Sequence, residues 1–264
     1  MKHRNKLRER LLKLGIETGV HYKPNHMLAF FKNKTKYPYI YFLVKTSIID
    51  YSEHISQDVS AVFSLNPSNY SCKEIIRKLE KNNENLAIPE QVHSTVVEFS
   101  RFPGMYPAAD GLVTQDPDII LTLKVADCVP VFLHDPSKNI IGLVHSGWRG
   151  TVENIVLNAI QLMDKNGTDT SDIRCFLGPA IGICCYEVDW EVAKEFDDEA
   201  KLKMEERKWR VGLHEQIRLQ LISVGVQKKN IRSSKICTYE SQGYHSYRRD
   251  GENSGRMFAF LRLK

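Results

Sequence analysis

Residues 119–150 read IILTLKVADCVPVFLHDPSKNIIGLVHSGWRG, and this stretch decides the fold. Three runs rich in β-branched and aliphatic residues, 119–128, 129–135 and 140–146, are punctuated by Asp, Pro and Gly, the pattern of successive strands. A glycine-flanked turn, SGWRG, leads into TVENIVLNAIQLMDK (151–165). There Val152, Ile155, Val156, Ala159, Ile160 and Met163 recur at helical spacing. The spacing predicts one helix over 151–165 with Thr151 as its N-cap.

Outward from this block, YIYFLVKT (39–46), DVSAVFSL (58–65), STVVEF (94–99) and DGLVT (110–114) read as further strands. A helix is expected from Ser71, where Glu74 completes a capping box, through IIRKLEKN. Another covers 213–224 and stops near Gly225. Strands outnumber helices and do not alternate strictly with them. The predicted class is therefore α+β, with mixed β-sheets flanked by helices in one compact domain over 1–264.

Composition narrows the function classes. At 42% hydrophobic and 26% charged, the chain is neither disordered nor fibrous. No run approaches the roughly 20 apolar residues that span a bilayer. The N-terminus lacks the apolar region and cleavage site of a secretory signal. Six cysteines (72, 128, 175, 184, 185 and 237) follow no repeating framework, so reduced thiols and a cytoplasmic location are expected. The net charge of +5 resides in residues 1–13, where six Lys and Arg face only Glu9. Leu7, Leu11 and Leu14 give that segment one apolar face, so residues 1–20 read as a basic helical extension. No aromatic residue interleaves with its charges, which favours a solvated helix over a nucleic-acid or membrane arm.

Three segments carry candidate chemistry. EQVHS places His93 just before a strand, VADC places Cys128 at a junction between strands, and LVHSGWRG places His145 at a strand end. Two imidazoles and a thiolate make a zinc set with a fourth position open, and zinc lowers the pKa of bound water towards about 7. The same residue types also serve as a buried hydrophobe and hydrogen-bonded histidines. In SGWRG, two glycines permit close approach to a ligand, the following helix offers free N–H groups, and Arg149 offers a forked donor for phosphate. An ordinary link with Trp148 packed in the core is the competing reading.

The blocks EQVHSTVV, ADGLVT, LKVADCVPVFLHD, GLVHSGWRGT, FLGPAIGICCYEV and SYRRDGENSGRM resemble, in order and spacing, the YfiH-type purine nucleoside phosphorylase family, also called the polyphenol oxidase or laccase-domain family. The resemblance implies zinc ligands at His93, Cys128 and His145. It also implies phosphorolysis of adenosine, inosine, guanosine and methylthioadenosine, and deamination of adenosine, with purine nucleosides and phosphate as partners. The family's arginine before the first ligand maps onto Arg77, although Ile76 stands where Asn is usual. Gly212 and Ile217 replace a usual Asp and Asn, and the early glycine-rich segment is absent around 45–56.

On this reading Arg77, Arg149 and Arg248 hold phosphate beside the metal, and Arg77 counts with the three ligands as catalytic. Loss of Arg77 should then harm phosphorolysis far more than deamination. Tyr247 and Arg249 are further candidates for the pocket wall, and Asp127 and Glu187 are candidates to orient a neighbour or cap a turn. Cys184 and Cys185 are expected in a packed turn without chemistry. The His-x-Glu and Pro-Cys-x-x-Cys patterns of other zinc deaminases do not occur.

Two alternatives remain at this point. One is a copper-binding, laccase-like polyphenol oxidase. None of the nine histidines is paired as His-x-His, which argues against four coppers but leaves copper as an alternative occupant of the single site. The other is a metal-free hydrolase with Cys128 as nucleophile and His145 as base. It is kept open by the family's fold similarity to the deamidase domain of cytotoxic necrotizing factor toxins. The oligomeric state stands between monomer and homodimer.

Overall fold

The computed structural model describes residues 48–65, 85–205 and 207–264. All of these fall within one unit, Ser47–Lys264. The basic helix expected at 1–20, the strand expected at 39–46, and the helix expected from Ser71, with Arg77, lie outside the described residues.

The fold is built around the hairpin formed by residues 129–146. Strands β8 (Val129–Asp135) and β9 (Ile140–Ser146) pair antiparallel, and every residue of both is buried. Asp135 closes their connection by accepting the N–H groups of Ser137 (2.7 Å) and Lys138 (3.2 Å). Because side chains alternate across a strand, Val129, Val131 and Leu133 enter one core cluster while Phe132 enters another. A strand buried on both faces reads as a continuous apolar run, as both strands do here.

Around this hairpin, β14 (Ile231–Ser233), β10 (Arg174–Leu177), β8, β9, β6 (Gly111–Thr114) and β4 (Val97–Phe99) form one sheet in that order. Its β14/β10 and β6/β4 pairs are parallel and the rest antiparallel. A second sheet runs β1 (Ile48–Asp50), β2 (Val59–Ser64), β15 (Met257–Leu263), β7 (Ile120–Val125), β3 (Leu86–Pro89) and β5 (Gly104–Tyr106). The two sheets pack through Leu112, Leu121, Leu123, Phe132, Leu143 and Leu261. A small third sheet joins β11 (Glu187–Asp189), β13 (Lys208–Val211) and β12 (Lys201–Lys203). Mixed sheets flanked by helices confirm the α+β class.

The other face of the hairpin's sheet is covered by helices. The single helix expected over 151–165 is instead two, α2 (Trp148–Val152) and α3 (Ile155–Asp164); the helix before them among the described residues, α1, is the short Ser52–Ile55. Asn154 breaks the helix in the left-handed region at φ 65°, a conformation that Asn tolerates better than most residues. Thr151 is therefore internal to α2 and does not cap a helix. Its hydroxyl is bonded to Ser146 Oγ at 2.8 Å, and its carbonyl accepts from Gln220 Nε2 at 2.7 Å. Gln220 also donates to Asn154 Oδ1 at 2.9 Å, so a side chain from a distant helix holds the break. The apolar stripe survives it, with Ile155, Val156, Ala159, Ile160 and Met163 all buried. After the short α4 (Trp190–Ala193), α5 (Leu213–Ser223) matches the helix expected at 213–224, and Gly225 turns the chain at φ +98°. No helix among the described residues is long and apolar enough to cross a membrane.

Candidate metal centre

The antiparallel register of β8 and β9 sets two of the three candidate ligands side by side. Pro130 pairs with His145 and Val129 with Ser146, so Cys128, which enters β8, lies opposite Gly147, which leaves β9. The third, His93, comes from the loop between β3 and β4. One ligand atom from each of His93, Cys128 and His145 lies within 4.8 Å of the other two. The two imidazole rings meet edge to face, 5.0 Å between centroids.

Asp110, just before β6, organises both histidines. Fully buried, its carboxylate accepts the backbone N–H groups of Val92 (3.1 Å), His93 (3.0 Å) and Ser94 (2.7 Å). His93 itself sits in the left-handed region at φ 61°, held there by these bonds. The same carboxylate lies 2.8 Å from His145 Nδ1. A carboxylate only accepts, so Nδ1 carries the proton and Nε2 is left facing Cys128, with its lone pair available to a metal. Gln91 fixes the loop from its other side, donating to the Lys124 carbonyl at 2.7 Å and accepting the Lys124 N–H at 2.8 Å.

Close packing explains Gly147. A Cβ there would stand 3.0 Å from Cys128 Sγ and 3.2 Å from His93 Cδ2. Its φ of −78° is ordinary, so the requirement is for space and not for an unusual backbone.

The electrostatics favour a thiolate. Burial pushes the Cys128 thiol up, but the imidazoles of His145 and His93 outweigh it and bring the pKa down to about 6. Burial pulls His145 down, yet the Cys128 sulfur and the Asp110 carboxylate raise it to about 9. Burial raises the Asp110 carboxyl, while hydrogen bonds from His145 and Ser94 hold it below the usual range. Two nitrogens and a ready thiolate, one imidazole oriented from behind by a carboxylate, form the donor set that zinc and related ions take. The residues present fit a metal ion.

The centre lies in a cavity of about 660 Å³, within the range of small-molecule sites. Lys124, Arg149, Arg248 and Arg256 give its wall cationic groups, and Trp148, Tyr186 and Tyr247 give it aromatic ones. The Arg149 guanidinium lies 4.5 Å from the Trp148 ring centre and that of Arg248 lies 4.9 Å from the Tyr186 ring centre. The turn after β9 enters a helix of only five residues, so side-chain cations, more than a long helix N-terminus, are placed to meet an anion.

Of the other sequence candidates, Tyr247 and Arg248 line the cavity, on α6 (Tyr247–Asp250). Arg249 does not: its guanidinium donates to Asp250 and to the carbonyls of Thr238, Tyr239 and Tyr244, tying loops together. Asp127 accepts the hydroxyls of Thr238 (2.6 Å) and Ser246 (3.0 Å) and the Arg248 N–H (2.6 Å). It thereby anchors the C-terminal segment to the cavity. The Glu187 carbonyl accepts from Arg248 Nη1. Asp110 and Arg256 were not singled out in the sequence, although both lie inside the quoted blocks ADGLVT and SYRRDGENSGRM. Only the invariance of a carboxylate within such a block would have marked Asp110.

Residues 68–264 match the family model described as multi-copper polyphenol oxidoreductase laccase. The purine nucleoside phosphorylase YlmD of Bacillus subtilis is 36% identical over 165 residues, 60% of this chain and 59% of that protein. The chain thus spans less than two thirds of that relative's length. An adenosine deaminase, RL5, from an unknown prokaryotic organism is 32% identical over 69% of this chain and 76% of its own length. The crystal structure of YlmD from Geobacillus stearothermophilus superposes with a TM-score of 0.74 at 28% identity, covering 79% of this chain and 93% of that one. With three quarters of its length matched and the fold shared, this chain belongs to the YfiH/YlmD family that carries the multi-copper polyphenol oxidoreductase laccase description.

Proposed function

We propose that this chain is a zinc-dependent purine nucleoside enzyme of the cytoplasm. It phosphorolyses adenosine, inosine, guanosine and methylthioadenosine, and deaminates adenosine. The observation that carries this reading is the convergence of His93, Cys128 and His145, braced by Asp110, inside a cavity with arginine and aromatic walls. The names of the relatives, phosphorylases and one deaminase, point the same way.

His93, Cys128 and His145 would hold the zinc ion, which would supply Lewis acidity there. In phosphorolysis an oxygen of phosphate bonds to the ribose anomeric carbon as the bond to N9 breaks, and the purine leaves with that electron pair and takes up a proton. Arg149 and Arg248 hold the phosphate and balance its charge. Arg77 belongs with them by family resemblance and lies outside the described residues. Tyr186, Tyr247 and Trp148 offer faces for the planar base. In deamination water adds at C6 and ammonia leaves, which needs no phosphate.

The test incubates the protein with adenosine or inosine, with and without phosphate, and resolves the products by chromatography. A Cys128→Ala protein purified in parallel controls for host enzymes. Phosphate-dependent release of adenine or hypoxanthine, lost in the variant, is expected. Equal turnover by both proteins, or none by either, overturns the reading.

Two other readings each have one observation behind them. The family description names copper, and copper binds the same donors more tightly than zinc. Among the described residues, however, this is the one ligand cluster that contains histidine, far short of a multicopper array. The low pKa of Cys128 beside His145 suits a metal-free cysteine hydrolase, yet His93 aimed at the same sulfur is superfluous to a dyad. An equivalent of zinc in the protein as isolated that is lost in Cys128→Ala separates the first reading from both.

A further inference from the structure

We propose a second metal site, a closed structural zinc centre formed by Cys184, Cys185, Cys237 and Glu240. It is independent of the nucleoside reading and shares no ligand with the first centre. One ligand atom from each of the four residues lies within 4.8 Å of all the others. A tetrahedron with zinc–sulfur bonds of about 2.3 Å has edges of roughly 3.7 Å, so the four groups need contract by only about 1 Å to close on an ion.

The chain brings them together from two places. Cys184 and Cys185 sit in a tight turn in which the N–H groups of Cys185 (2.9 Å) and Tyr186 (3.0 Å) both bond to the Gly182 carbonyl. Cys237 and Glu240 come from the segment after β14. An isolated parallel bridge between Ala180 and Cys237 and the bond from Thr238 N–H to the Ala180 carbonyl (2.9 Å) hold the two segments in register. Gly182 donates its N–H to Cys237 Sγ at 3.3 Å, an arrangement that favours a thiolate. Cys185 Sγ lies 3.3 Å from Glu240 Oε1.

The donor chemistry selects the ion. Bound to an ion as thiolates, the three cysteines supply soft anionic sulfur, and Glu240 adds a harder carboxylate oxygen that zinc also takes. Four protein ligands leave no position for substrate, the pattern of structural zinc. All four cysteines nearest the two centres, 128, 184, 185 and 237, are free thiols. Cys184 and Cys237 also line a separate cavity of about 310 Å³, which gives the ion a path in.

The location gives the ion a purpose. The turn it would clamp is flanked by Ile181 and Tyr186, which line the wall of the first cavity. The other segment carries Thr238, which bonds to Asp127. An ion here would pin that wall without touching the reacting groups.

The test is metal counting on the full reduced chain after equilibration with excess zinc and gel filtration, by atomic emission. Two equivalents are expected for the wild type, and one each for Cys128→Ala and for Cys184→Ser/Cys185→Ser. Cobalt loaded into Cys128→Ala provides a readout that does not depend on the Cys184→Ser/Cys185→Ser variant folding. A strong thiolate-to-cobalt charge-transfer band with tetrahedral visible absorption is expected there, and Glu240→Gln should perturb it. One equivalent in the wild type that disappears in Cys128→Ala, or a Cys128→Ala protein without the cobalt band, overturns the proposal. Because the first centre is absent from Cys128→Ala, failure here is distinguishable from failure of the nucleoside reading.

Discussion

Asp110 Oδ1 and His145 Nδ1 lie 2.8 Å apart with both side chains buried. The same carboxylate fixes the backbone of the loop that carries His93. One side chain that touches no substrate thus orients two of the three candidate ligands. Asp110→Asn keeps the shape but puts an amide N–H₂ among N–H donors. Loss of such an orienting partner costs about 10–100-fold in metal affinity, with about 1–3 kcal/mol of stability from the mismatched buried group. Competition for zinc with a chromophoric chelator measures the first and a urea melt the second. Unchanged zinc affinity would remove Asp110 from the site.

Gly147→Ala separates the centre from the fold. Alanine accepts the φ of −78° found at Gly147, and at such positions Gly→Ala raises stability by about 0.4–1 kcal/mol through the unfolded chain. The added methyl, however, meets Cys128 Sγ at 3.0 Å and His93 Cδ2 at 3.2 Å. The crowding offsets that gain, so the metal-free variant should fold and melt close to the wild-type temperature while binding zinc more weakly. A variant that unfolds but keeps full zinc affinity would contradict the packing argument.

The arginines divide the two reactions. Arg248→Ala or Arg149→Ala should raise the KM for phosphate by about tenfold or more, the scale of one lost charge-assisted hydrogen bond. Adenosine deamination should change little, because it needs no phosphate. Arg249→Ala instead removes a guanidinium that holds three carbonyls and should lower thermal stability. Steady-state kinetics with phosphate and nucleoside varied in turn makes the distinction; parallel losses in both reactions would assign Arg248 and Arg149 to general structure.

His134 makes the fold acid-sensitive. It is fully buried in β8 with neither ring nitrogen bonded to the described protein, and burial lowers its pKa from 6.5 to about 4. A depressed histidine is neutral when folded and protonates more readily when unfolded. Its contribution is therefore complete above about pH 6.5 and is lost as pH falls towards 4, by about 3 kcal/mol at most. His134→Leu should flatten the change in urea midpoint between pH 7 and 5. A slope identical to that of the wild type would exclude His134 as its source.

Much of the fold was legible because its centre is local. β8 and β9 are consecutive and buried on both faces, so an apolar run broken by Pro136 and Asn139 identifies them without tertiary information. The same hairpin register places Cys128 beside the turn that follows His145, so two ligands could be read as neighbours from the strand pattern alone. The stripe Ile155, Val156, Ala159, Ile160 and Met163 likewise gives the helix its face, since burial on one side demands that spacing whatever lies opposite. The short segments β11 to β13 carry too few residues for either period to register.

What the sequence determined by itself, then, are the features legible within about ten residues: the apolar strand runs, the helical stripe, the glycine-flanked turn and the family blocks. Tertiary structure alone decided the rest. The break at Asn154 is imposed by Gln220, 66 residues away, and the helical period runs through it without a mark. His93 reaches the centre because Asp110, 17 residues on, gathers its loop. Cys184 and Cys185 meet Cys237 through a bridge at Ala180, which no local spacing encodes. Such contacts follow from where the sheets and loops come to rest, because a hydrogen bond or a ligand cluster needs atoms within a few ångströms and is indifferent to separation along the chain.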